Sequence, residues 1–184
     1  MIKITNSRVQ YEKYRTHMRK LADLRASLAL MQWDQETYLP LKGAGFRAQQ
    51  VATLAEMAHE LATSKKLGSL LESLHQAEGL SDSERQNIIL NQEDFEKQKK
   101  YPAAFVRRMS ETVSKCFNAW NQAKKESSFS LFEKELAELV NLKKEETEIL
   151  GYNEHPYDAL MDEFEKGCTV KFLDSLFGNM LPQL

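Results

Sequence analysis

A single helical period runs through nearly all of this chain and leaves little room for other secondary structure. In the N-terminal segment, apolar residues recur at steps of three and four positions: Tyr11, Tyr14, Met18, Leu21, Leu24, Leu28 and Met31. This spacing places them on one face of an amphipathic α-helix. No alternating run rich in Val, Ile and Thr, the pattern of a β-strand, occurs in the sequence. We therefore predict an all-α fold, an elongated multi-helix assembly.

Capping signals predict where the helices begin and end. The first helix should cover about 7–33 and end before Pro40, because proline cannot continue a helix. Ser81 and Glu84 have the serine-x-x-glutamate spacing of a capping box, which satisfies two backbone amides at a helix start. Further boundaries are predicted at Pro102, Gly151, Pro156 and Thr169. Because no Pro/Gly/Ser-rich linker intervenes, residues 1–184 are predicted to form a single all-helical region.

Composition restricts the class of protein. Apolar residues make up 42% of the 184 positions and charged residues 28%, a balance typical of a globular domain. The formal net charge of −2 gives no electrostatic basis for binding nucleic acid. No apolar run approaches the ~20 residues that span a bilayer. Cys116 and Cys168 are far apart and suit a reducing compartment, so we expect a cytoplasmic protein without a disulfide framework.

Two segments carry a more specific signal. The first reads Trp-Asp-Gln-Glu-Thr-x-x-Pro over 33–40 and continues into an Arg-Ala-x-Gln-x-Ala-Thr-Leu-Ala helix over 47–55. The second, Gly-Tyr-Asn-Glu-His-Pro-Tyr-Asp-Ala-Leu-Met-Asp-Glu-Phe-Glu-Lys-Gly, occupies 151–167. In this order, the two segments resemble the N-terminal part of the thermostable zinc metallocarboxypeptidase family typified by the Taq carboxypeptidase.

That resemblance implies a larger helical zinc peptidase that removes C-terminal residues from peptides. In such an enzyme, two histidines of an H-E-x-x-H motif and a downstream glutamate hold zinc at the bottom of a deep groove. The glutamate within the motif activates a zinc-bound water. The N-terminal helices would form a wall or lid of the groove, with Trp33, Asp34, Glu36 and Thr37 as candidates for its border.

The zinc motif itself has no match in this chain. The only His-Glu pair is His59-Glu60, and Thr63 stands where the second histidine would have to be. No catalytic or metal-ligating residue can therefore be carried over from the family. We expect the chain to lie upstream of the H-E-x-x-H part, through a cut or a truncated gene. We also expect this chain alone to bind no zinc and to be inactive.

A di-iron helical bundle is the competing metal site, since Glu56-x-x-His59 and Glu72-x-x-His75 have the spacing of its ligand units. Measured from the apolar stripes, His59, Glu56 and Glu72 are predicted to point away from the core. Ligands of a core metal must point inward. The sequence therefore argues against this site.

Asp34 and Glu36 could perform acid–base chemistry, but a helix terminus explains them more simply. In that interpretation the Trp33 ring is buried, Asp34 or Thr37 bonds nearby backbone, and Glu36 is solvated. His155 and Asp158 are explained in the same way, as capping residues of a proline-started helix.

The alternative function is a stand-alone helical interaction or dimerisation module without catalysis. The last helix supports it, because an apolar stripe follows the Thr169 cap: Phe172, Leu173, Leu176, Phe177 and Met180. We expect this stripe to be exposed or to drive self-association, as in a homodimer. Peptides are the partners that the family resemblance implies.

Overall fold

The computed structural model describes residues 6–183, and every regular element in that range is helical. The helices are α1 (Asn6–Thr37), α2 (Ala44–Ala62), α3 (Lys65–His75), α4 (Asp82–Gln98), α5 (Ala103–Glu126), α6 (Ser130–Leu150), α7 (Pro156–Met161) and α8 (Val170–Met180). Short 3₁₀ turns occupy Leu41–Gly43 and Leu181–Gln183. The predicted all-α class is confirmed. No helix in this range is both long and apolar enough to cross a membrane.

Two compact units divide the chain, one within 1–135 and one within 136–184. In the first unit, α1 packs on α2 and α3, α3 packs on α4, and α2 packs on α5. The main core gathers two α1 tyrosines with the apolar faces of α3 and α4: Tyr11, Tyr14, Leu67, Leu70, Leu71, Leu74, Ile88 and Phe95. A smaller cluster of Leu21, Ala58 and Ala62 joins α1 to α2.

Glycine allows α3 and α4 to approach closely. A Cβ atom at Gly68 would lie 2.8 Å from Cζ of Phe95, closer than real contacts allow. Because Gly68 has no side chain, the Phe95 ring of α4 can pack directly against the backbone of α3. Along with the four leucines of α3, this contact packs α3 closely against α4.

The capping predictions hold, with a small shift at one proline. The Ser81–Glu84 capping box is present, Gly151 adopts a φ of +78° after α6, and Thr169 caps α8 through its hydroxyl. Pro102 is the residue before α5 rather than the first residue within it. That position suits proline as well, because the residue has no amide hydrogen to leave unbonded.

The predicted facing of α2 is wrong. His59 was expected to point outward, yet it is 8% exposed, and its Nε2 lies 2.9 Å from the carbonyl oxygen of Tyr101. Phe46 and Met57 are large apolar residues of the same helix, and both are exposed. The reason is that α2 packs against α1 and also against α5. A helix with neighbours on two sides has a wider buried surface than a single apolar stripe indicates.

In the second unit, two aspartates of the 151–167 segment organise the chain between α7 and α8. Asp158 accepts hydrogen bonds from the amides of His155 at 3.3 Å and Val170 at 2.8 Å. Asp162 accepts one from the Gly167 amide at 3.0 Å, where a φ of +78° favours glycine. The predicted capping role of Asp158 is confirmed. The hydrogen bonds of Asp158 and Asp162 hold the backbone between α7 and α8.

Candidate functional site: the α1–α2 corner and the α2–α5 groove

Arg47 joins the end of α1 to the start of α2. Its Nη1 donates to Oδ2 of Asp34 at 2.5 Å and to the carbonyl oxygen of Met31 at 3.0 Å. Its Nε donates to Oε1 of Gln50, one turn further along α2, at 3.3 Å. The Arg47 side chain is only 17% exposed, so this ion pair is partly shielded from water. The guanidinium also lies near the C-terminal end of α1, where a positive charge is favoured.

The remaining polar residues of the corner bond locally. Thr37 Oγ1 donates to the carbonyl oxygen of Trp33 at 2.7 Å, as the helix-terminus interpretation predicted. The Asp34 carbonyl accepts from the amides of Tyr38 and Leu39, both at 2.9 Å. Glu36 is exposed. The carboxylates of Asp34 and Glu36 therefore have separate environments, and only that of Asp34 is held by a cation.

Trp33 is not buried, contrary to the sequence prediction. The residue is 53% exposed, and its ring meets that of Tyr38 edge-on at 5.4 Å between centroids. The buried residues of α1 end at Leu21, and the stripe beyond it is at most partly covered. Near the C-terminal end of α1, the same apolar spacing therefore no longer implies burial.

A groove of about 860 Å³ runs between the first half of α2 and most of the length of α5. Its α2 side is formed mainly by small residues, including Ala44, Gly45 and Ala48, and begins at Leu41, just after the corner. Its α5 side carries amides and charged groups. Glu135, at the first unit's boundary in α6, completes the lining. The volume lies within the usual range of ligand-binding clefts.

Two lysines distinguish the α5 wall of this groove. Arg107 is neutralised, since it contacts Glu56 at 3.0 Å and Glu111 at 3.1 Å. Lys115 and Lys125 have no ion-pair partner within the described part of the chain. Side-chain amides lie along the same wall at Asn118, Asn121 and Gln122. The groove therefore offers ammonium and amide donors beside the carboxylates of Glu126 and Glu135.

No metal centre can be assembled from residues 6–183. No group of three His, Cys, Asp or Glu side chains there could hold an ion. Of the di-iron candidates, Glu56 is paired with Arg107, and His59 Nε2 donates to a backbone carbonyl. The argument from outward facing was wrong for His59, but hydrogen bonding and geometry argue against the same site. These residues do not fit a catalytic metal, and no metal-dependent step can be assigned to them.

Comparison with known proteins identifies the family of the chain. The family model of the carboxypeptidase Taq (M32) metallopeptidases matches residues 13–184. The chain belongs to this M32 family. Carboxypeptidase 1 of Bacillus subtilis is 35% identical over 164 residues, which covers 89% of this chain and 33% of that protein. Thermostable carboxypeptidase 1 of Pyrococcus furiosus is 32% identical over 149 residues, or 81% of this chain and 30% of that protein.

Solved M32 structures agree with this fold. The BsuCP crystal structure is similar with a TM-score of 0.90 at 33% identity, over 94% of this chain and 35% of that chain. The Pyrococcus furiosus carboxypeptidase structure gives a TM-score of 0.75 at 28% identity, again over 94% and 35%. The present chain thus spans about a third of the length of its M32 relatives.

Within the M32 family segment, sequence reasoning and structure select different residues. None of Trp33, Asp34, Glu36 and Thr37 is among the residues that line the α2–α5 groove. Their place at a substrate groove in longer M32 proteins stays a prediction. Arg47 was part of the quoted motif, but its clamping role was missed. Its spacing to Gln50, one helical turn, was the available signal.

Proposed function

We propose that this chain forms a groove wall or lid of a zinc-dependent M32 metallocarboxypeptidase that removes C-terminal residues from peptides. The observation that carries the proposal is the match of residues 13–184 to the family, over about a third of the relatives' length. In this proposal the residues that hold the catalytic zinc belong to the part of the family fold that this chain does not cover. Zinc there would provide the activated water.

The residues of this chain bind and orient the peptide. Lys115 and Lys125 attract a peptide carboxylate, since their ammonium groups are free of ion pairs within residues 6–183. Asn118 and Gln122 provide amides for the peptide backbone. The clamp of Arg47 on Asp34 fixes the angle between α1 and α2, and with it the entrance of the groove near Leu41.

A chimera tests this role. Replacing the matched third of Bacillus subtilis carboxypeptidase 1 with residues 13–184 should give a folded enzyme that releases C-terminal residues. This chain alone should release none and bind no stoichiometric zinc. Circular dichroism and metal analysis accompany the kinetics. A folded, zinc-loaded chimera without activity, or hydrolysis by the chain alone, would contradict the proposal.

Lysine variants of the chimera test the groove. The Lys115→Ala/Lys125→Ala variant should raise KM about tenfold with little change in kcat, because it removes charge-assisted contacts made before the chemical step. The matched control is Lys134→Ala/Lys144→Ala, two exposed α6 lysines outside the groove lining. An equal KM for both variants would exclude the α2–α5 groove from peptide binding.

The second candidate is a stand-alone interaction or dimerisation module. It is favoured by the exposed apolar residues of α8, which include Phe172 at 59% and Phe177 at 53%. Such a module would associate with itself, and it would not restore activity in the chimera.

A further inference from the structure

A second groove, of about 690 Å³, lies in the first unit between α1 and the junction of α2 with α3. We call it the basic groove. Four basic side chains line it against one acid, although the chain as a whole carries a net charge of −2. The lining residues that bear on its chemistry are Arg8, Glu12, Lys13, His17, Lys20 and Lys66.

Three of these cations are free to meet a ligand. Lys13, Lys20 and Lys66 form no ion pair with any residue of the described range. Arg8 is held at 2.6 Å by Glu84, and the Glu12 carboxylate is bound by Arg15 at 2.9 Å. Three unpaired ammonium groups around one cleft repel each other, and an anion between them would relieve that repulsion.

His17 adds a different polar group to the groove. It is 6% exposed, and its Nε2 lies 2.9 Å from the carbonyl oxygen of Leu61. A carbonyl oxygen only accepts, so Nε2 must carry the proton. In the neutral ring Nδ1 is then an acceptor, and no described residue bonds it. The groove thus offers ammonium donors together with an imidazole acceptor, and its apolar surface comes from Val9 and Leu61.

This combination fits a peptide better than an inorganic anion. Sulfate and a fully ionised polyphosphate carry acceptors only, whereas a peptide has carboxylates for the lysines and an N–H for His17. Lys13 and Lys20 are seven residues apart on α1, about 10 Å along the helix axis. In a peptide with the polyproline II conformation, which has three residues per turn, two acidic side chains three positions apart lie on the same side and about 9 Å apart.

We propose that the basic groove binds an extended acidic peptide segment along α1, with carboxylates at Lys13, Lys20 and Lys66 and a backbone N–H at His17. This site is separate from the α2–α5 groove. The proposal does not depend on peptidase activity, so it can fail or hold independently of the proposed function.

Fluorescence anisotropy of the full chain tests the proposal. The probe is a dye-labelled, end-capped heptapeptide with two glutamates three positions apart, and its control has glutamine at both positions. We expect binding of the glutamate peptide at low salt and at least about tenfold weaker binding of the glutamine peptide. Absence of binding, or equal binding of both peptides, would overturn the proposal.

Charge-reversal variants locate the site. Lys13→Glu/Lys66→Glu should weaken binding about tenfold or more, since it removes two cations of the groove lining, one on α1 and one on α3. The matched control, Arg19→Glu/Lys65→Glu, reverses exposed charges on the same two helices but outside the lining, and it should retain most of the affinity. Circular dichroism establishes that both variants fold.

Two further outcomes decide the result. An equal loss in the control variant would mean that net charge governs binding, and the site would be rejected. Tripolyphosphate that displaces the peptide at equal concentration would show a general anion site and contradict the assignment to a peptide.

Discussion

Helices α3 and α8 have nearly the same local design and opposite environments. Both have eleven residues, both begin with a hydroxyl N-cap, and both carry a strong apolar face. In α3, Leu67, Leu70, Leu71 and Leu74 are all buried. In α8 no side chain is buried, and Phe172, Leu176, Phe177 and Met180 are exposed. The comparison teaches that an apolar stripe predicts a helix and the face that could be buried. It does not predict whether another helix covers that face.

The largest expected effect is on stability, when one leucine on each apolar face is replaced by alanine. Leu71→Ala should lower the free energy of unfolding by about 2 to 5 kcal/mol, because the side chain is fully buried and leaves a cavity. Leu176→Ala in α8 should change it by about 0.5 kcal/mol or less, as exposed positions do. Urea unfolding followed by circular dichroism measures both. Equal losses would mean that α8 is already buried, and the contrast would disappear.

A pair of glycines sharpens the contrast. Gly68→Ala in α3 should cost about 1 to 3 kcal/mol, since its Cβ would collide with the Phe95 ring. Gly178→Ala in α8 meets no atom within 4 Å and should stabilise the helix by up to about 1 kcal/mol. Thermal unfolding of both variants should therefore give shifts of opposite sign. Two stabilising substitutions would show that α3 and α4 are not closely packed.

The smallest expected effect concerns the hydroxyl N-cap that α3 and α8 both have. Ser64 accepts from the Leu67 amide at 3.3 Å, and Thr169 accepts from the Phe172 amide at 3.2 Å. Ser64→Ala and Thr169→Ala should each cost about 1 kcal/mol, because both remove a similar cap. Hydrogen exchange of the first-turn amides checks this locally. A loss at one helix alone would show that tertiary contacts, rather than the caps, hold these helix ends.

Local signals in the sequence predicted the elements well. The capping box at Ser81 and the cap at Thr169 are side-chain-to-backbone interactions within one turn, and they can be recognised without knowledge of the fold. The apolar face of α3 is likewise visible within one helix, since Leu67, Leu70, Leu71 and Leu74 recur at helical spacing.

Features that depend on neighbouring helices could not be predicted in this way. His59 is buried because α2 packs on two sides, and Trp33 is exposed although α2 begins beside the end of α1. The cost of 3 to 5 kcal/mol that burial of Trp33 would imply for its replacement by alanine is therefore no longer expected.

The sites required the same long-range information. Lys115, Lys125 and the basic groove appear only when helices distant in sequence are brought together. Periodicity describes one helix at a time, so it could not place Lys66 of α3 in the same groove as Lys13 of α1. The family resemblance supplied a function for the longer proteins but no residue of this chain that performs the chemistry.

Light scattering over a dilution series tests most directly whether the apolar face of α8 is exposed and able to bind a second copy of the chain. The chain should associate as its concentration rises. Phe177→Glu should abolish that association and leave the unfolding transition nearly unchanged, because Phe177 is 53% exposed. A chain that stays monomeric at every concentration, and that Phe177→Glu destabilises, would show that the face is already covered and would contradict the account.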